Sequence, residues 1–160
     1  MAIDRFERTV LVVHGARPAS GQEWNRSLEE FNLPGVSGIL IVVDPNYPGP
    51  TALQRAQASE AAKRTGLFPP IAVVTGSGLH RGIVTVISWM QKNNLVAFSP
   101  KELSAAMDFV RLEPERRGAA LSRVHELARR VGSTWIAQTV SFPWPASQTV
   151  SDRSRSSMSK

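Results

Sequence analysis

The chain has 160 residues, 42% of them hydrophobic and 20% charged, which is ordinary globular usage and excludes a fibrous repeat or wholesale disorder. Cysteine is absent, so disulfides, thiolate metal sites and cysteine nucleophiles are excluded together. The formal charge is +6, from 19 Lys and Arg against 13 Asp and Glu; this balance permits binding to nucleic acid or to an acidic surface and identifies neither.

The N-terminus carries Asp4, Arg5, Glu7 and Arg8 where a signal peptide needs its apolar stretch. No apolar run reaches the roughly 18 to 20 residues that cross a bilayer, so no membrane span and a cytoplasmic location are expected. The first apolar run is Thr9 to His14, and residues 37–44, 70–75 and 95–98 repeat the pattern. These runs are continuously apolar rather than alternating, as in strands buried on both faces of a parallel sheet. Parallel strands need helical crossovers, and each crossover carries a start signal. Ser20 with Glu23 forms a capping box ahead of Trp24, Leu28 and Phe31, which recur at helical spacing. Thr51 with Gln54 repeats the device, with Gly66 closing that helix. Ser77 opens a helix through Ile83, Val84, Ile87 and Trp89 to about Asn93, and Ser99 with Glu102 opens the next, with Pro100 at its first position.

The expected fold is therefore α/β, a small, mostly parallel sheet of four to five strands in βαβαβαβα order plus an additional C-terminal helix. That helix spans roughly Glu115 to Val131, with Leu121, Val124, Leu127, Ala128 and Val131 on one stripe and Gly132 at its end. Its other face carries Arg116, Arg117, Arg123, Arg129 and Arg130, mixed with Glu113, Glu115 and Glu126, the pattern of a solvated face. His125 is expected on that solvated side. Residues 133–142 have partial period-2 character and either add an edge strand or dock across the core, while 143–160 are Ser-rich, basic and poor in core residues, as a mobile tail would be. The division is an α/β domain over 1–112, a helix and docking segment over 113–142, and the tail. Residues 111–130 carry a net +3 and residues 145–160 a net +2, so the basic excess belongs to the C-terminal third.

In an open parallel sheet, ligands approach the carboxyl ends of the strands. The loops there hold His14 and Arg17, Asp44 and Asn46, Thr51 and Arg55, and Thr75, Gly76, Ser77, Gly78 and Arg81. The Gly-rich stretch invites a phosphate-loop reading, but its glycines run G-x-G-x-x-x-G, without the Lys-Ser/Thr ending of a Walker loop, and it follows the third expected strand rather than the first. The structural alternative is a turn with Ser77 as N-cap. Ser77 does not stand in a G-x-S-x-G elbow, and His80 lies only three residues on, poorly placed as its base. His14 and Asp44 can meet at the top of the sheet, yet a pair alone is no catalytic constellation. Three scattered histidines give no metal-ligand spacing, and no metal or cofactor is expected. Trp24 and Trp89 fall at core positions; Trp135 and Trp144 either dock on the core or anchor a partner or second subunit. Nucleic-acid binding through the Arg-rich helix and tail is the weaker reading, because no recognition signature accompanies the charge.

The blocks Gly49-Pro50-Thr51-Ala52-Leu53-Gln54-Arg55, Ala72 to Ser77, Arg81 to Trp89 and Ala97 to Leu103, in this order, resemble an uncharacterised bacterial group of STAS-like (SpoIIAA-like) proteins over roughly residues 8 to 112. The resemblance implies a small α/β sandwich that acts by binding a protein partner, homo-oligomers included, and is not an enzyme. It also implies regulation by serine phosphorylation, with Ser77 at the phosphoacceptor position of a D-S-S-G-L-like stretch that reads Thr75-Gly76-Ser77-Gly78-Leu79 here. The other class left open is a small-molecule or nucleotide-binding protein, conceivably an enzyme, using His14, Arg17, Asp44, Asn46, Ser77 and Arg81.

Overall fold

Every apolar run read from the sequence becomes a strand. The computed structural model describes residues 1–65, 69–82, 84 and 94–140, and within them β2 (Thr9–His14), β3 (Gly38–Val43), β4 (Ile71–Thr75) and β5 (Leu95–Phe98) run parallel. A further strand, β1 (Ala2–Phe6), pairs antiparallel with β2, so the sheet is mixed, in the order β1-β2-β3-β4-β5. This strand lies outside the apolar runs read from the sequence. Asp4 and Arg5 sit on an edge strand, where charge opposes edge-to-edge pairing with another chain. The β1–β2 hairpin turns at Glu7, which takes a positive φ of 55°.

Helices α1 (Gly21–Phe31) and α2 (Ala52–Thr65) follow β2 and β3. The capping boxes expected at Ser20 and Thr51 form: Ser20 Oγ accepts from the Glu23 N–H at 3.2 Å while Glu23 accepts from the Ser20 N–H at 2.7 Å, and Thr51 and Gln54 exchange the same two bonds at 3.2 and 2.9 Å; at the third, Glu102 accepts from the Ser99 N–H at 2.8 Å. After β4 residues 78–82 are helical; the rest of the helix expected to reach Asn93, with Trp89, the Gly66 terminus, and the tail with Trp144 lie outside the described residues. Beyond β5, a 3₁₀ turn (Pro100–Glu102) leads into α3 (Leu103–Phe109), and a second (Pro114–Arg116) leads into α4 (Arg117–Arg130). The segment from 133 is a helix, α5 (Thr134–Thr139), not a strand. Ser133 caps it, its Oγ accepting from the Ile136 N–H at 3.4 Å, and a cap of this kind favours helix over extension. No helix among the described residues is long and apolar enough to cross a membrane.

Strands that succeed one another in one direction, joined by right-handed crossovers, place their connecting helices on one face. Phe31 of α1 accordingly packs with Val10, Val12 and Ile39. The opposite face, Leu11, Val13, Leu40, Val42, Ala72 and Val74, is covered by Met107 and Val110 from the α3 region, Val124, Leu127 and Ala128 of α4, and Ile136 of α5. The core therefore continues across residue 112 into the segment that the sequence places beyond the α/β domain. The arginines of α4 and of the turn before it are tied to carboxylates: exposed Arg116 to Glu7 at 3.1 Å, exposed Arg123 to Glu126 at 3.2 Å, exposed Arg130 to Glu126, and half-buried Arg117 to Asp108. His125 departs from the solvated position expected for it; it is half-buried, with Nε2 2.6 Å from the Val140 carbonyl.

Two helices on this covered face end in the same way. At α4 the N–H of Gly132 donates to Arg129 and that of Ser133 to Ala128, at 3.1 and 2.9 Å, with Gly132 at φ 69°, a Schellman ending. At α3 the N–H groups of Arg111 and Leu112 donate to Asp108 and Met107, both at 2.9 Å, but the left-handed position is held by Arg111 at φ 60°. A side chain there costs about 1 kcal/mol that glycine avoids. Arg111→Gly is expected to raise unfolding free energy by about 1 kcal/mol in urea titration, whereas Gly132→Ala lowers it by a similar amount; no change at either position would refute the strain.

Candidate functional site

The carboxyl ends of β2, β3 and β4 are crossed by one short stretch of chain. Gly15, Asp44 and Gly76 each stand immediately after their strand, and residues 131, 133 and 135 meet them in turn. A Cβ on Gly15 would lie 2.9 Å from the Val131 carbonyl oxygen and 3.2 Å from its Cβ. The Asp44 carboxylate accepts a 2.6 Å hydrogen bond from Ser133 Oγ. A Cβ on Gly76 would lie 2.5 Å from Cζ2 of Trp135. The Schellman ending of α4 makes this crossing possible, because the left-handed Gly132 turns the chain back over the strand ends. Trp135 thus docks on its own core, the first of the two roles open to it in the sequence.

This arrangement accounts for part of the expected site. Asp44 is buried, and its second oxygen accepts from the Asn46 N–H at 3.0 Å in a local turn. Gly76 makes room for an indole ring rather than for a phosphate. The Gly-rich segment folds as the capped turn: the Ser77 N–H donates to Thr75 Oγ1 at 3.2 Å, Ser77 Oγ accepts from the His80 N–H at 3.3 Å, and Arg81 Nη1 donates to the Thr75 carbonyl at 2.9 Å. Gly78 begins the helical residues. Thr51 caps α2, and Arg55 folds back onto the Pro50 carbonyl at 2.6 Å. Arg17 is exposed in the loop after β2.

His14 and Asp44 are not brought together as side chains. Their backbones are joined, Asp44 N–H to the His14 carbonyl at 2.9 Å, but successive strand residues alternate faces. His14 continues the Val10 and Val12 face, whereas Asp44 continues the Leu40 and Val42 face and meets Ser133. On its own face His14 is buried against Tyr47, ring centroids 4.5 Å apart. Neither His14 Nδ1 nor the Tyr47 hydroxyl has a hydrogen-bond partner. Burial, followed by the nearby α-amino group of Met1 and opposed by Glu23, lowers the His14 pKa to about 4. Burial, then the Glu23 carboxylate, raises the Tyr47 hydroxyl to about 12. Glu23 itself lies below the usual carboxylate range, first because it accepts from the Met1 amino group at 2.8 Å. Both rings are neutral near pH 7.

Tyr47, Ser133 and Trp135 were thus the residues that decide this region. Tyr47 follows an Asp-Pro turn, and Ser133 follows the helix-ending glycine; these were the available sequence signals, but neither names its partner across the sheet. Comparison with protein-family models, curated proteins and solved structures finds no match.

Two outcomes test this geometry. Gly76→Ala is expected to lower stability by about 1 to 3 kcal/mol through overpacking, and much less in a Trp135→Ala background; equal costs in a double-mutant cycle would mean that the ring does not fill that space. His14 takes up a proton more readily unfolded, at about 6.5, than folded, at about 4. Its contribution is therefore complete above pH 6.5 and declines as pH falls toward 4, by about 3 kcal/mol in all. His14→Leu should flatten the stability profile across that window; an unaltered slope would remove His14 as its cause.

Proposed function

We infer that the chain is a non-enzymatic interaction module of the STAS type, binding a protein partner through the strand carboxyl-end loops and their flanking helices, with Ser77 as a phosphorylation switch. The observation that carries the reading is the crossing of residues 131 to 135 over β2, β3 and β4. In open α/β sheets a small ligand sits in the crevice at the strand ends, and here Val131, Ser133 and Trp135 stand on that ground. What remains for recognition is the outer surface of the loops. The resemblance of the sequence blocks to STAS-like proteins points the same way.

Ser77 is half-buried at the start of the helical residues 78–82, two residues from the Thr75 carbonyl that Arg81 holds at 2.9 Å. A phosphate there adds about −1.5 to −2 charges beside a guanidinium, at a surface the reading gives to a partner. The change in field, rather than a change in the core, is the switch.

The test is capture from native-host lysate on the full chain, compared with Ser77→Glu and Arg55→Glu, together with intact mass of the protein purified from that host. A defined protein partner is expected on the wild type and is lost on both variants, and a species heavier by one phosphate is expected under some growth condition. Recovery of nucleic acid alone would overturn the interaction reading. A chain that never carries phosphate would overturn the switch while leaving the partner in place.

A further inference from the structure

The outer surface of the same edge has a composition of its own. Leu53, in the first turn of α2, is 69% exposed, and Leu79, in the helical residues after β4, is 74% exposed. The two turns follow neighbouring strands, β3 and β4, whose last residues Val43 and Thr75 are paired. Basic side chains follow the strand order along this edge: exposed Arg17 after β2, exposed Arg55 after β3, Arg81 after β4 and exposed Lys101 after β5. The carboxylates in these loops are engaged at home. Asp44 is buried beneath Ser133, and Glu102 accepts from the Ser99 N–H at 2.8 Å.

We propose that this edge takes an acidic amphipathic helix of a protein partner. Apolar side chains at i and i+3 or i+4 cover Leu53 and Leu79, and carboxylates on the flanking positions face Arg17, Arg55 and Lys101. Charge complementarity selects an acidic partner, and the leucines select protein over nucleic acid. A phosphate backbone neutralises the arginines and leaves the leucines uncovered, whereas an amphipathic helix presents both matching chemistries on one face. The proposal rests on the interaction reading above and names the chemistry of its partner.

The experiment pans a displayed library of random 16-residue peptides against the full chain and against the double variant Leu53→Ser/Leu79→Ser. Both leucines are exposed, so the variant is expected to keep the wild-type melting temperature. The wild-type chain should enrich peptides with net negative charge and apolar residues at helical spacing. A synthesised, labelled member of that set should bind at least tenfold more weakly to the leucine variant and to Arg55→Glu, and more weakly as salt rises. The proposal is overturned if the enriched peptides are neutral or basic, if no sequence is enriched over bare support, if the leucine variant binds equally well, or if a single-stranded oligonucleotide binds more tightly than any enriched peptide. A lysate partner that survives both leucine changes would refute this surface alone; with no lysate partner and no enriched peptide, the interaction reading falls as well.

Discussion

The contact on which the arrangement depends is the passage of Val131, Ser133 and Trp135 across the ends of three parallel strands. It uses alternate residues against successive strands, and each meeting is of a different kind. Val131 packs on a position that admits only glycine, Ser133 supplies the hydrogen bond that a buried carboxylate requires, and Trp135 lies over a second glycine. Removing the hydroxyl would leave Asp44 buried with one oxygen unsatisfied, a cost of the order of 1 to 3 kcal/mol. Gly15 and Gly76 are explained by what lies against them, with no phosphate needed.

This crossing follows from how the two faces of the sheet are covered. Strands in sequential order send their crossovers to one face, which leaves the other to whatever follows β5. Helices α3, α4 and α5 meet that requirement, with Met107, Leu127 and Ile136 fully buried among the sheet residues. The positive charge of α4 is the outward face of a core helix, balanced in part by Glu7, Asp108 and Glu126. The strand-end loops and the first turns after them carry basic residues of their own, Arg17, Arg55, Arg81 and Lys101.

Below the sheet's carboxyl edge, on the first-helix face, His14 and Tyr47 form a different environment. They are buried, neutral near pH 7 and in tilted ring contact, and each has a polar atom without a partner. The carboxyl edge of the sheet thus divides into a closed, hydrogen-bonded side at Asp44 and an unsatisfied side at His14. The division arises only because neighbouring residues on neighbouring strands point to opposite faces.

Local chemistry made much of this legible. Apolar runs in 9–14, 37–44, 70–75 and 95–98 determined four strands, because a strand buried on both faces has no polar positions to interrupt it. The capping boxes at Ser20 and Thr51 and the turn at Ser77 determined helix starts, since each bond closes within three residues. Gly132 determined the end of α4 for the same reason. The edge strand β1 stayed hidden, because its alternation is broken by charges that suit an exposed edge. The helix at 134–139 stayed hidden too, because six residues carry too little periodicity to separate it from a strand. The sequence by itself determined where segments begin and end and which face of each is apolar. Only the tertiary structure decided that Ser133 reaches Asp44, that Trp135 covers Gly76 and that His14 turns from Asp44 to Tyr47, because those contacts join residues tens of positions apart and are set by strand order and facing, which no local pattern encodes.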